Sequence, residues 1–148
     1  MVMTKGSLNR DALVEEARRR TGLEDFGPDT WQEGLEVLVR SLNEEAALNQ
    51  HGETMLGERI VDQLVERLKF EKSWNENPAI ADEQIVAPIF GVGLGRTGSN
   101  ALGFVMSKDP KRRMIRMWEA LFPSPPPEKA TEHTNPRIAR TQAWIEQM

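Results

Sequence analysis

Along the first half of the chain, apolar positions recur at helical spacing. Leu13, Val14 and Ala17 fall on one stripe, Asn9 stands where a side chain can cap that helix, and Gly22 stands where helices prefer a left-handed terminator. A turn through Phe26-Gly27-Pro28 leads to Asp29 or Thr30 as the cap of a second helix, with Trp31, Leu35, Leu38, Val39 and Leu42 on its apolar side. The spacing predicts a third helix from about Glu53 to Glu71, striped by Met55, Leu56, Ile60, Leu64, Val65 and Leu68. Trp74 and the turn Asn75-Glu76-Asn77-Pro78 close this helical part. Each stripe reads as core contact rather than as a cofactor box.

The second half is patterned differently. Pro88, tolerated at the first residue of a strand, opens the apolar run Ile89-Phe90-Gly91-Val92, which predicts a buried strand. A glycine-rich turn follows, and then a helix through Ala101, Leu102, Phe104, Val105 and Met106 that ends near Asp109-Pro110. Gly103 inside that helix costs about 1 kcal/mol relative to alanine, and close packing against a sheet is the expected reason. Met114 to Trp118 alternates enough for a short second strand or an extended lead-in to a site. Pro123-Ser124-Pro125-Pro126-Pro127 must be extended, a rigid connector in preference to a ligand for a proline-reading domain. A last helix after Pro136 carries Ile138, Trp144 and Ile145. The composition shift ahead of Ala87-Pro88 divides the chain into a helical leader, 1–84, and the start of an α/β domain, 85–148.

Composition narrows the chemistry. A chain of 148 residues is normally one domain, and its net charge of −4 gives no global basic field for nucleic acid. The absence of cysteine excludes disulfides and thiolate chemistry, and His51 and His133 are too few and too separated for a zinc motif, so no metal is expected. No window reaches the apolar length of a membrane span, and the short polar start Met1 to Ser7 leaves a soluble cytoplasmic protein as the default. The runs Arg18-Arg19-Arg20 and Lys111-Arg112-Arg113 read as solvated faces.

The candidate chemistry lies between Gly93 and Asn100. Gly95-Arg96-Thr97-Gly98 permits close backbone approach, and Ser99 and Asn100 stand beside the free N–H donors of the helix that follows. The spacing Gly93 to Gly98 overlaps the phosphate-cradling P-loop, but the lysine that should follow the second glycine is missing, which disfavours a classical ATPase or kinase. The cation is Arg96 instead. A planar guanidinium can grip two oxygens of a phosphate or sulfate without a metal.

At these residues the chain resembles sulfotransferases. Leu94-Gly95-Arg96-Thr97-Gly98-Ser99-Asn100 is similar to the loop with which they grip the 5′-phosphosulfate of 3′-phosphoadenosine 5′-phosphosulfate (PAPS). Arg18 to Gly27 and Ser41 to Ala46 resemble the helical leader of the bacterial branch, and Trp118 to Pro127 and Pro136 to Ala139 match it downstream, so nearly the whole chain is covered. The resemblance implies a truncated α/β fold of the P-loop-like sulfotransferase type behind a three-helix leader. Gly95, Arg96, Thr97, Gly98, Ser99 and Asn100 would then bind the donor. Sulfuryl transfer would run from PAPS to a small-molecule hydroxyl or amine, with Arg96 and the loop amides neutralising the departing phosphate.

For the base, the resemblance points to Glu119, whose burial beside Trp118 would raise its pKa; the other reading of Glu119 is a structural ion pair with Arg116. His133 is the weaker candidate. Gly95 departs from the pattern, which has proline there, and should leave the empty loop floppier. The arginine and serine that hold the 3′-phosphate in the family have no counterpart before Met148. The chain is therefore expected to be incomplete alone, with self-association or a complementing carboxy-terminal chain as the consequence. A non-catalytic anion-binding fragment or interaction module is the competing function.

Overall fold

The computed structural model describes residues 8–146. The chain divides into two compact units, one running up to Asn77 and including 124–126, the other made of the rest from Pro78 onwards.

The first unit consists of α1 (Arg10–Thr21), α2 (Thr30–Glu44) and α3 (Gln50–Glu76). Asn9 caps α1 as its sequence implies: its Oδ1 accepts from the Ala12 N–H at 2.9 Å. Gly22 ends α1 at φ +68°, where its N–H donates to the Arg18 carbonyl at 2.7 Å. Asp29 occupies the cap position of α2, but its carboxylate accepts from the Gln32 side chain at 2.7 Å and leaves the backbone uncapped. The α3 helix extends beyond the expected 53–71 at both ends. Asn49 Oδ1 accepts from the Gly52 N–H at 2.8 Å and starts α3 one turn early. Trp74 lies inside the last turns, and the helix stops at Asn77, where the following Pro78 disfavours a helical backbone.

These helices share one apolar core. Leu13, Val14 and Ala17 of α1 meet Leu35 and Val39 of α2 and Ile60, Val61, Leu64, Val65 and Leu68 of α3. Leu68 is 0 % exposed, and Leu8 and Phe26 belong to the same cluster. Leu38 and Met55, expected on the stripes, are exposed instead, while Val61 is buried. Gly57 brings α3 close to residue 8, since a Cβ there would lie 3.2 Å from Leu8 Cδ2. Asn43 holds the same point from α2: its Oδ1 accepts from the Leu8 N–H at 3.1 Å and its Nδ2 donates to the Leu8 carbonyl at 2.9 Å. Arg18-Arg19-Arg20 is more than a solvated face, because Arg20 reaches Glu58 of α3 at 2.8 Å.

The second unit holds α4 (Ser99–Met106), α5 (Met117–Leu121) and α6 (Arg137–Glu146), with 3-10 turns at Pro78–Asp82 and Lys129–Thr131. Its packing centres on α5 and α6. Trp118 and Phe122 are buried, with the Arg137 guanidinium 4.7 Å from the Trp118 ring centroid and that of Arg140 3.8 Å from the Phe122 centroid. Arg137 also donates to the Phe122 carbonyl at 2.7 Å.

Two expected strands are not formed. Among the described residues there is no strand, and Ile89, Phe90, Val92 and Leu94 lie in an exposed, irregular segment. A strand is defined by its ladder, and apolar residues with no neighbouring strand have nothing to pair with or be buried by. Met114 to Trp118 is not a strand either. Its second half is helical because Glu119 caps α5 from within, so the apparent alternation there is the approach to a helix. Gly103 faces the Met114 side chain rather than a sheet: a Cβ on it would lie 3.2 Å from Met114 Cε.

Candidate functional site

The loop that precedes α4 is a tight, exposed turn. Thr97 Oγ1 donates to the Leu94 carbonyl at 2.8 Å, closing the turn upon itself. Gly98 follows at φ +85°, a left-handed conformation that glycine adopts without strain, and its carbonyl accepts the first helical bond from the Leu102 N–H at 3.0 Å. No side chain caps α4. The first-turn amides of Ser99 and Asn100 therefore lack an intrahelical acceptor and face outwards with the positive end of the helix dipole.

Arg96 adopts φ +68°, an uncommon backbone state for a residue with a Cβ. It is exposed, and among the described residues its guanidinium makes no hydrogen bond or ion pair. Gly95 has open space where a side chain would stand, and its φ is not in the left-handed region. Six sequence-predicted residues, Gly95 to Asn100, thus form one continuous element with amide donors, hydroxyls and a free cation. The chemistry it offers is anion recognition.

Glu119 belongs to a different element, α5. It is 6 % exposed at the third position of α5, where Oε2 accepts from the Arg116 N–H at 2.8 Å and Oε1 accepts from Arg113 in a close ion pair. This is the carboxylate half of a capping box; the other half is absent because arginine has no acceptor. The structural partner is therefore Arg113, with Arg116 contributing only its backbone. The Arg116 guanidinium turns instead to the Glu132 carboxylate, to the Glu132 carbonyl at 3.3 Å and to His133 Nδ1 at 3.4 Å. His133 is exposed. Among the described residues, no hydrogen bond or ion pair joins Arg96 to Glu119. Sequence reasoning missed Arg113, which lies six residues before Glu119 in a run read as solvated. A six-residue separation across the entry to α5 is not a helical spacing, so nothing in the sequence pattern marked that pair.

Clefts occur elsewhere. One of about 220 Å³ is lined by Leu23, Asp25, Lys72 and Asn75, and one of about 320 Å³ by Arg10, Arg18, Trp31 and Gln32; both belong to the helical unit. The loop before α4 is an open surface turn instead. Among the described residues no three His, Asp or Glu side chains gather as metal ligands, and no helix is long and apolar enough to cross a membrane. Among the described residues a large electrostatic displacement also lies in the helical unit, where hydrogen bonds from Arg19 and Arg20 lower the Glu16 carboxyl to about 2.

No protein-family model and no curated protein matches the chain. Among solved structures it is similar to sulfotransferase STF1 from Mycobacterium tuberculosis H37Rv, with 34% sequence identity and a TM-score of 0.85. The match covers 97% of this chain and 40% of that one, so the chain spans less than half the length of the solved protein. The similarity holds although no strand forms among the described residues. Over nearly its whole length, the chain has a bacterial sulfotransferase-like fold.

Proposed function

We propose that this chain carries the donor-gripping loop of a cytoplasmic sulfotransferase of P-loop-like α/β type, which transfers a sulfuryl group from PAPS to a small-molecule hydroxyl or amine. The observation that carries the reading is the uncapped start of α4 beside the unengaged, left-handed Arg96, in a chain similar to a solved sulfotransferase. These residues suit a phosphosulfate: amide donors and a guanidinium belong to one exposed turn, and no carboxylate is bonded to Arg96 among the described residues. Bound there, the donor would supply the sulfuryl group and a phosphate leaving group. Arg96 and the amides of Thr97, Gly98, Ser99 and Asn100 would hold that phosphate and stabilise charge as it grows. Glu119 is the proposed base for the acceptor. In its present arrangement Arg113 would have to release one carboxylate oxygen before a proton could be taken.

Calorimetric titration of adenosine 3′,5′-bisphosphate tests the loop. Arg96→Ala is expected to weaken binding by about 1.5–3 kcal/mol, the scale of a hydrogen bond to a charged group. An affinity unchanged by the substitution would remove Arg96 from the site.

A further inference from the structure

Three nitrogen donors around the cleft between α1 and α2 have no acceptor. The cleft, about 320 Å³ in volume, is lined from α1 by Arg10, Val14 and Arg18, which share one helix face at four-residue spacing, and from the first turn of α2 by Trp31 and Gln32. Arg10 Nε, Arg18 Nε and Trp31 Nε1 are covered by protein and make no hydrogen bond among the described residues. An N–H withdrawn from water without a partner is costly, and native structures seldom leave one so. The nearby acceptors bond the other nitrogens of the same guanidiniums. Asp11 accepts from Arg10 Nη1 at 3.1 Å, Gln32 Oε1 accepts from Arg10 Nη2 at 3.0 Å, and Glu15 accepts from Arg18 Nη1. Trp31 is held in place, its ring 4.7 Å from that of Phe26 and 5.9 Å from the Arg67 guanidinium.

We propose that this cleft binds a small organic carboxylate, with Arg10, Arg18 and Trp31 donating to its two oxygens and with Val14 and the Trp31 ring against its apolar body. The unmet groups on its lining are all donors, which specifies an acceptor group rather than an amine. Negative charge is favoured over a neutral carbonyl for two reasons. The guanidiniums of Arg10 and Arg18 are mostly covered, while their partners Asp11 and Glu15 are 82% and 67% exposed and keep their charge in water. The start of α2 also lies at the cleft with no side-chain cap, so the positive end of its dipole favours an anion there. A doubly charged oxyanion fits less well, because Asp11 and Glu15 already balance the formal charge of Arg10 and Arg18. For the ligand to reach the covered nitrogens, both guanidinium ends must swing away from these carboxylates. Exposed ion pairs of that kind contribute little, so the movement costs little. The site lies wholly in the helical unit and does not rest on the sulfuryl-transfer reading.

The test uses the full chain with phenylacetate as the probe, its binding followed by calorimetry and by the indole N–H signals in nuclear magnetic resonance. Saturable binding at millimolar concentration is expected to move the Trp31 Nε1–H signal, assigned by its loss in Trp31→Phe, and to leave that of Trp74 in place. Trp31→Phe keeps an aromatic ring and removes the donor, and Arg18→Lys keeps the charge and removes Nε. Each should weaken calorimetric binding by about 10-fold, the scale of one lost hydrogen bond to a charged group. Should the phenylalanine variant fail to fold, the lysine variant, changed at a side chain already 38% exposed, decides the matter. Several results overturn the proposal: no saturable binding of phenylacetate, full affinity in Arg18→Lys, or equal binding of phenethylamine, which would mean that the cleft selects only an apolar body. Tighter binding of inorganic phosphate at the Trp31 signal also overturns it. So does displacement of phenylacetate by adenosine 3′,5′-bisphosphate, which would move the carboxylate to the loop before α4.

Discussion

At the residue scale the loop before α4 turns on two neighbours with opposite backbone demands. Arg96 holds a left-handed conformation despite its Cβ, while Gly95, which could adopt one freely, does not. Glycine at 95 therefore gives up conformational freedom with no visible geometric need. Its N–H makes no backbone bond among the described residues, and a Cβ there meets nothing within 4 Å. Gly95→Pro should tighten binding of adenosine 3′,5′-bisphosphate by about 0.4–1 kcal/mol, by narrowing the free loop. Weaker binding with a lower melting temperature would show that the loop needs a φ at 95 that proline cannot take. Glu16 makes a second test, of acid response. Its carboxyl is lowered from 4.5 to about 2 by hydrogen bonds from Arg19 and Arg20. A depressed folded-state value contributes stability that is present above 4.5 and is lost as pH falls toward 2. Exposure and salt screening keep the contribution small. Glu16→Gln should therefore flatten the melting temperature against pH between 4.5 and 2, with the difference fading in high salt. An identical acid profile in the variant would show that this cluster does not couple to folding.

At the element scale, legibility follows how local the determining interactions are. The bounds of α1 were readable because Asn9 and Gly22 act on backbone groups within four residues of themselves. The beginning of α3 was missed because Asn49 is an equally local cap that the apolar stripe, starting later, concealed. Ile89 to Val92 has strand composition, but a strand requires a partner and no composition supplies one. The α5 helix hid behind its own cap. There Glu119 carries both a structural role and the proposed role of base, and two variants separate them. Glu119→Gln can still accept from the Arg116 N–H, whereas Glu119→Ala loses that bond and the Arg113 pair. The alanine variant should destabilise α5 by about 1.5–3 kcal/mol in exchange of the 119–122 amides, and the glutamine variant by much less. Where the unchanged sequence supports sulfate transfer in a chimera with the solved sulfotransferase, a glutamine variant that keeps both α5 and the full rate would remove Glu119 as the proposed base.

At the scale of the whole molecule, apolar burial is unevenly distributed between the units. The helical unit joins three helices around one cluster, with Leu68 at its centre, and most of these residues were readable because their positions recur on faces that meet one another. The second unit has two buried aromatic rings under α5 and α6, while its most apolar segment, 85–94, faces outwards. The sequence pattern of that segment records an environment that the described residues do not provide, so the pattern pointed to a sheet that they do not contain. Stability should follow burial. Removing side-chain atoms from a fully packed position costs the lost transfer energy plus the cavity left behind, so Leu68→Ala should destabilise the helical unit by about 2–5 kcal/mol. Hydrogen exchange gives the readout: in the parent chain the amides of α3 around Leu68 should be among the slowest, and those of 89–94 and α4 among the fastest. In the variant, exchange across α1, α2 and α3 should accelerate together, because the three share the cluster. Acceleration confined to the turn around position 68 would mean that the helices do not unfold as one cooperative body and that the shared core is less decisive than its burial implies.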